Sequence, residues 1–148
     1  MIRVQSQDFD AGAEIAASRE RSGDAGGLCS FIGVVREGAG PQQIIAMTLE
    51  HYPGMTEKEL ASIEGEARER WPLEDVVIIH RIGRLVPGDQ IVLVLTASAH
   101  RKAAIEAAEF LIDWLKTKAP FWKSEEAVGE TRWVAARASD DEAAAKWD

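Results

Sequence analysis

TASAHRKAAIEAAEFLIDWLKTKAPFWKSE, residues 96–125, is the stretch that decides how this 148-residue chain folds. It joins the end of an apolar run to a long helical pattern and a lysine-rich exit. Apolar residues recur there at the spacing of a helix that is buried along one face, namely at Ala103, Ala107, Phe110, Leu111 and Trp114. Pro120 cannot continue a helix and disfavours helical geometry at the preceding residue, so we expect the helix to end near Thr117 or Lys118.

The exit from this helix carries an unusual charge. Lys116, Lys118 and Lys123 lie in a segment without acidic residues, although the chain has a formal net charge of −8. One interpretation is that the first two lysines favour the negative end of the helix dipole, worth about 0.3–1 kcal/mol each, with Lys123 merely exposed. The other is an anion or carbonyl site, in which proline and aromatic neighbours desolvate the lysines. Desolvation lowers the pKa of an ammonium and makes the amine a usable acid, base or nucleophile.

Composition limits the class of protein. The length indicates one domain, 1–148, and a pI near 4.9 argues against nucleic-acid binding, which needs a basic face. The sequence has neither an apolar run long enough for a membrane span nor a signal segment, so we expect a cytoplasmic protein without membrane contact. The single cysteine, Cys29, fits a reducing compartment. The three histidines lack metal-ligand spacing, and neither a metal nor another cofactor is expected.

The order of the elements predicts an α+β fold with a mostly antiparallel sheet and flanking helices. Strands are expected at 2–4, 28–36, 44–52, 75–82, 90–97 and 132–137. Three further helices are expected at 11–21, from a capping box at 56–59 to about Trp71, and after a second capping box at 139–142. The strands at 28–36 and 44–52 could form a hairpin across the glycine-rich loop 37–43.

Two further positions place cations where an anion could bind. Arg36 closes a strand and opens the glycine-rich loop, where it is either a solvated strand end or an anion contact. His100-Arg101 lies where a strand gives way to a helix, and free amides at a helix N-terminus favour a phosphate. The alternative is a pair without a ligand. The residues alone therefore indicate two possible anion-binding corners, Arg36 with His100-Arg101 and Lys116 with Lys123, and they do not name a reaction.

Six motifs, in order along most of the chain, resemble the large, catalytic subunit of molybdopterin synthase. They are Phe31-x-Gly33-x-Val35-Arg36, Leu49-Glu-His-Tyr-Pro-Gly-Met55, His80-Arg-Ile-Gly83, Pro87-Gly88-Asp89, Ser98-Ala-His-Arg101 and Leu115-Lys-Thr-Lys-Ala-Pro-Phe-Trp-Lys123. The resemblance implies an α/β hammerhead-type fold and a homodimer. It also implies that each subunit binds a small ubiquitin-like sulfur carrier with a C-terminal Gly-Gly, giving a heterotetramer. The carrier's thiocarboxylate would supply two sulfurs to cyclic pyranopterin monophosphate, forming the dithiolene of molybdopterin.

The resemblance also implies roles for individual residues. Lys116 and Lys123 fall on the family's catalytic lysines, and Arg36 falls on a substrate-phosphate contact. The His100-Arg101 pair falls on further phosphate contacts that reach in from the neighbouring subunit. The implied pocket wall is formed by Val34, Val35, Ser124 and Glu125. Ser124 departs from the pattern, since a second basic residue commonly stands there.

Two other functions remain open at this point. One is a non-catalytic scaffold that captures a Gly-Gly-tailed, ubiquitin-like partner by extending a strand edge. Such a scaffold should tolerate the loss of Lys116 as long as the partner still binds. The other is a phosphate- or nucleotide-sensing dimer that uses only Arg36, His100 and Arg101, and that binds phosphorylated ligands without a carrier.

Overall fold

Two four-stranded sheets build the protein, whose computed structural model describes residues 1–40, 43–127 and 129–148. The strands are β1 (Ile2–Gln5), β2 (Gly27–Val34), β3 (Ile44–His51), β4 (Leu73–Arg81), β5 (Gly83–Leu85), β6 (Gln90–Ser98), β7 (Phe121–Ala127) and β8 (Glu130–Trp133). The helices are α1 (Ala11–Arg21), α2 (Met55–Arg70), α3 (Arg101–Thr117) and α4 (Ala138–Ala145). None of the helices in the described ranges is long and apolar enough to cross a membrane.

The first sheet has the strand order β1-β4-β6-β2, and the second has the order β5-β3-β7-β8. Within these sheets β1 and β4 run parallel, whereas every other pairing is antiparallel. The predicted α+β class with mostly antiparallel strands is therefore confirmed. The strands are divided between two sheets, however, and a cavity lies between these sheets.

The hairpin expected from the strands at 28–36 and 44–52 is wrong. Strand β2 pairs with β6 in the first sheet, and β3 pairs with β5 and β7 in the second. The reason is that β6 is apolar on both faces and buried along most of its length, so it needs a neighbour on each side, which β4 and β2 supply. Of the connecting loop that we expected at 37–43, residues 41 and 42 lie outside the described residues.

The first sheet is covered on both faces. Val76, Ile78 and Val94 pack with α2 and α3, whereas Val77 and Ile79 pack with the segment around Phe9 and α1. Successive residues of a strand point to opposite faces, so one strand serves both cores. This packing holds α3 against the sheet. The predicted helix end near Thr117 or Lys118 is confirmed.

The capping box expected at Thr56 is wrong, and Thr56 has a different role. Helix α2 begins at Met55, and the Glu57 carboxylate accepts a hydrogen bond from the Gly54 amide at 2.6 Å. Thr56 is fully buried; its hydroxyl accepts from the Tyr52 amide at 2.9 Å and donates to the Pro120 carbonyl at 3.1 Å. Thr56 therefore ties the start of α2 to the exit of α3.

The C-terminal helix closes one side of the molecule. The Trp147 indole donates to Asp113 at 2.6 Å and lies edge-on to Trp71 and Phe110. The expected strand at 132–137 ends at Trp133, and the rest of that segment leads into α4. The capping box expected at 139–142 is wrong, because α4 begins after Arg137 without a side-chain cap. Because the strand ends at Trp133, residues 134–137 are free to run along the cavity described next.

Candidate active site

A cavity of about 520 Å³ opens between the two sheets beside the C-terminal end of α3. Its wall combines β2, β3, β4, β6 and β7 with the last turns of α3 and the segment that leads into α4. The larger apolar lining residues are Phe31, Ile32, Val34, Ile44, Met47, Leu49, Ile91, Val92, Ile112, Leu115, Phe121 and Val134. The wall thus combines apolar side chains with several polar and charged groups, which together can bind and orient a small-molecule ligand.

Cations outnumber carboxylates among the residues that line the cavity. The cationic lining residues are Arg36, Lys116, Lys123 and Arg137, and the acidic ones are Glu125 and Asp140. The chain as a whole carries a formal charge of −8. A locally positive cavity in an acidic protein favours an anionic ligand over a neutral or cationic one.

The two lysines are brought together by the turn at Pro120. Lys116 lies in the last turn of α3, where the Trp114 carbonyl accepts hydrogen bonds from the amides of both Lys118 and Ala119. The chain then reverses into β7, where Lys123 lies opposite Leu49 of β3. The hydrogen bond from Thr56 to Pro120 fixes this reversal. Local structure therefore brings Lys116 and Lys123, which were grouped from the sequence, to the same cavity.

Lys123 has the electrostatic character expected from its neighbours. Burial lowers the pKa of its ammonium below the ordinary value, and the Lys116 charge acts in the same direction, while Glu125 opposes both. The predicted desolvation is thus confirmed for Lys123. Lys118, in contrast, is exposed and lies 3.4 Å from the Asp148 carboxylate, outside the cavity lining.

Strand alternation separates the other residues expected in the pocket wall. Val34 and Glu125 line the cavity. Val35 is 2% exposed and packs with Met47, Leu49 and Leu85 in the core of the second sheet. Ser124 lies between the lining residues Lys123 and Glu125, and the side chains of neighbouring strand residues point to opposite faces. Val35 and Ser124 therefore support the wall from outside the lining.

His100 and Arg101 lie at the other end of α3. Both are exposed, and Lys116 follows Arg101 by fifteen positions of helix, about 22 Å along the helix axis at 1.5 Å per residue. Within one chain, Arg36 thus groups with the two lysines and not with the His100-Arg101 pair. A ligand in this cavity can meet His100 and Arg101 only if a second chain supplies them.

Three charged or titratable lining residues were not singled out from the sequence: His80, Arg137 and Asp140. Arg137 was placed in an expected strand, and Asp140 in an expected capping box, and neither assignment pointed to a pocket. His80 lies in a buried apolar strand, where a lone histidine is usually structural. The signal that could have found it is the His80-Arg-Ile-Gly83 motif, which the resemblance contains without a role.

His80 is held in a fixed orientation on the cavity wall. Its ring stacks on Phe121 with centroids 3.9 Å apart and planes at 17°, and its Nδ1 lies 2.8 Å from the Arg81 carbonyl oxygen. Burial lowers the pKa of His80 from 6.5 to about 4; the Arg81 hydrogen bond opposes this shift, and Lys116 and His51 add to it. His80 is therefore neutral near pH 7.

We expect this histidine to make stability depend on pH. Its pKa is about 4 in the folded chain and 6.5 when unfolded, so the unfolded chain binds more protons between these values. Its contribution is complete above pH 6.5 and is lost as the pH falls toward 4, in total about 3 kcal/mol at roughly 1.36 kcal/mol per unit. Urea unfolding across this window should show that loss.

The matched variant for this measurement is His80→Phe, which keeps a flat ring and cannot be protonated. Its free energy of unfolding should depend less on pH in the same window. Asp8 and Asp75 also have pKa values below the ordinary 3.8 of an aspartate, so the stability that these carboxylates contribute is lost at a pH below this window. Equal pH slopes for the two proteins would contradict the assignment to His80.

Within residues 1–40, 43–127 and 129–148, no group of three or more His, Cys, Asp or Glu side chains is arranged to hold a metal ion. The polar groups of the cavity are mainly ammonium and guanidinium groups, which are not metal ligands. What these groups can do is bind an anion, polarise a carbonyl or donate a proton.

The fold and the cavity together define an α+β protein with a cationic, partly desolvated site, of the kind that binds and polarises anionic substrates. Residues 4–118 match the family model described as MoaE protein. The molybdopterin synthase catalytic subunit of Escherichia coli (strain K12) is 53% identical over 146 residues, with 99% of this chain and 97% of that protein covered. The chain therefore belongs to the MoaE family, the catalytic subunits of molybdopterin synthase in molybdenum cofactor biosynthesis.

Solved structures agree with this assignment. The molybdopterin biosynthesis MoaE protein from Burkholderia ambifaria MC40-6 has a TM-score of 0.85 and 52% identity, with 99% of this chain and 97% of that chain covered. A chain from the complex of subunits 1 and 2 of the molybdopterin-converting factor of Helicobacter pylori 26695 has a TM-score of 0.76 at 20% identity, covering 92% and 91%. That second likeness shows the fold alone. The fold expected from the resemblance is confirmed.

Proposed function

We propose that this chain transfers two sulfurs from the C-terminal thiocarboxylate of a small ubiquitin-like carrier to cyclic pyranopterin monophosphate, forming the dithiolene of molybdopterin. The observation that carries the proposal is the cationic cavity of about 520 Å³ with Lys116 and Lys123 on its wall, in a chain of the MoaE family. A thiocarboxylate and a phosphate are both anions, so the charge of the cavity suits both reactants.

The cavity residues divide into two groups by their exposure. Lys116 is exposed at the end of α3, where it can meet the tail of an incoming protein. We assign it to orient the thiocarboxylate and to attack the acyl carbon or donate a proton as the acyl group is released. Lys123 is partly desolvated, and we assign it to stabilise the charge that develops on the substrate oxygens.

The substrate phosphate is assigned to the arginine side of the site. Arg36 follows β2 and lines the same cavity as the lysines. A guanidinium presents several N–H donors in a planar arrangement that suits phosphate oxygens. His100 and Arg101 are exposed and distant within the chain, so we assign them to the cavity of a second copy in a homodimer. Val34 and Glu125 complete the wall, supported by Val35 and Ser124.

The carrier is the second part of the proposal. The Helicobacter pylori protein that shares this fold comes from a complex of two subunits, and the Escherichia coli relative is called a catalytic subunit. Two carriers bound to a central homodimer make a heterotetramer. In each half the flexible Gly-Gly tail of the carrier reaches the cavity as an extended segment.

Reconstitution tests the proposal. The purified chain, a thiocarboxylated carrier and cyclic pyranopterin monophosphate are mixed and assayed for dithiolene product. Product should form, and it should be absent when the carrier ends in an ordinary carboxylate. A stable carrier complex that yields no product would favour the scaffold hypothesis. Binding of phosphorylated ligands without any carrier requirement would favour the phosphate-sensing hypothesis.

A further inference from the structure

His80 connects the two sheets at the cavity wall. It belongs to β4 of the first sheet, whereas its stacking partner Phe121 is the first residue of β7 in the second sheet. The rings are nearly parallel, at 17°, with centroids 3.9 Å apart. Both side chains line the cavity. The stack therefore determines how closely the start of β7 approaches β4.

The imidazole cannot turn freely within this contact. A carbonyl oxygen only accepts hydrogen bonds, so the 2.8 Å contact between His80 Nδ1 and the Arg81 carbonyl places the proton on Nδ1. The Arg81 guanidinium is itself held by the carbonyls of Ser6 and Gln90, at 3.0–3.1 Å. The Arg81 carbonyl therefore fixes the imidazole at Nδ1, and the hydrogen bonds of the Arg81 side chain hold Arg81 itself in place.

Phe121 passes this constraint to Lys123. The two residues are separated by one position in β7, so their side chains lie on the same face of the strand, and both line the cavity. On the other side, the Phe121 backbone follows Pro120, whose carbonyl is held by Thr56. The ring contact with His80 and the hydrogen bond from Thr56 thus hold in place the segment that connects the two lysines.

We propose that His80 is a positioning residue for Lys123: its flat ring holds Phe121, so that Lys123 stays in place and partly buried on the cavity wall that it shares with Lys116. The titratable groups that act on the ring are Lys116 from α3 and His51 from β3, and the Arg81 backbone carbonyl accepts its hydrogen bond. A neutral ring adds no further cation to this set. The activity test of this proposal rests on the proposed function, whereas the spectroscopic test does not.

The test compares His80→Ala with His80→Phe in the full-length chain. Truncation to alanine removes the stack and admits water beside Phe121, so the pKa of Lys123 should rise toward its ordinary value. This shift is measured by ¹³C NMR of reductively methylated protein, with the Lys123 signal assigned through Lys123→Arg. His80→Phe keeps the ring and should titrate like the wild type.

The activity measurement uses the reconstituted sulfur transfer. His80→Ala should lower kcat by about 10-fold to 10²-fold, the scale of a misplaced catalytic group, whereas His80→Phe should stay within a few-fold of the wild type. Ile79→Ala is the matched control, because Ile79 is a fully buried neighbour that packs on the opposite face of β4 with Phe9 and Leu93. It destabilises the same strand and should change neither the Lys123 titration nor kcat.

Three results would overturn the proposal. One is an unchanged Lys123 titration in folded His80→Ala. Another is a His80→Phe variant as impaired as His80→Ala, which would mean that an imidazole nitrogen and not the ring is required. The third is an equal shift in Ile79→Ala, which would indicate general loosening of the strand. An inactive wild type would refute the proposed function, while the titration would still decide the role of His80.

Discussion

Replacing Lys116 by alanine is expected to lower the rate of dithiolene formation by about 10² or more, the lower end for the loss of a positioned acid or base. The exposed ammonium lies at the end of α3 on the wall of the cavity, where in the proposed function it would meet the carrier tail. Alanine is a good helix former, so the helix end should persist. The measurement is a single-turnover assay with saturating thiocarboxylated carrier.

Lys118→Ala is the matched control for this variant. Lys118 follows Lys116 by two residues and is also exposed, but it pairs with Asp148 and does not line the cavity. Its loss should change the rate by less than about twofold, since an exposed ion pair contributes little to stability. Carrier binding should survive in both variants. If Lys116→Ala stayed within a few-fold of the wild type, the assigned role would be abandoned and the chemistry moved to Lys123.

The parts of the fold that could be predicted are those fixed by neighbouring residues. Helix α1 has the predicted bounds, because Asp10 caps it and its hydrogen bond to the Ala13 amide needs only three residues of chain. The end of α3 follows from Pro120. In both cases the interaction that ends the element is formed by residues within a few positions of one another.

Strand pairing was predicted less well, because it is decided by distant partners. Strand β7, FWKSEEA, has three charged residues and little apolar alternation, and it was not expected to be a strand. It forms because β3 on one side and β8 on the other satisfy its backbone groups. The same pairing removes β3 from the expected hairpin with β2. Which strand β3 pairs with therefore depends on all the strands of the sheet and not only on the residues next to β3 in the sequence.

The candidate site shows the same division. Lys116 and Lys123 were grouped from the sequence because they lie only seven positions apart, with Pro120 between them. His80 and Arg137 reach the same cavity from β4 and from the segment before α4, and only the sheet topology brings them there. His100-Arg101 was grouped with Arg36 on residue type alone, and the length of α3 separates them within one chain. The residue types indicated the chemistry of the site, whereas the sheet topology decided which residues belong to it.

That separation leads to the second large effect, which is complementation between inactive variants. Lys116→Ala and Arg101→Ala should each be impaired alone, the second through weaker phosphate binding when the pterin is below its wild-type KM. If Arg101 serves the cavity of the partner, a mixed dimer contains one cavity with both residues intact. Random mixing of equal amounts should then restore about a quarter of the wild-type sites, as expected for a two-fold symmetric dimer.

The control mixture is Lys116→Ala with Lys123→Ala. Both residues line the cavity of one chain, so every cavity in every mixed dimer lacks one of them, and no activity should return. Two different affinity tags would establish that mixed dimers have formed. Recovery in the first mixture alone requires that Arg101 act across the subunit interface. If mixed dimers formed but activity did not return, a second chain would not bring Arg101 to a cavity that lies about 22 Å of helix away within one chain. Arg101 would then be removed from the site.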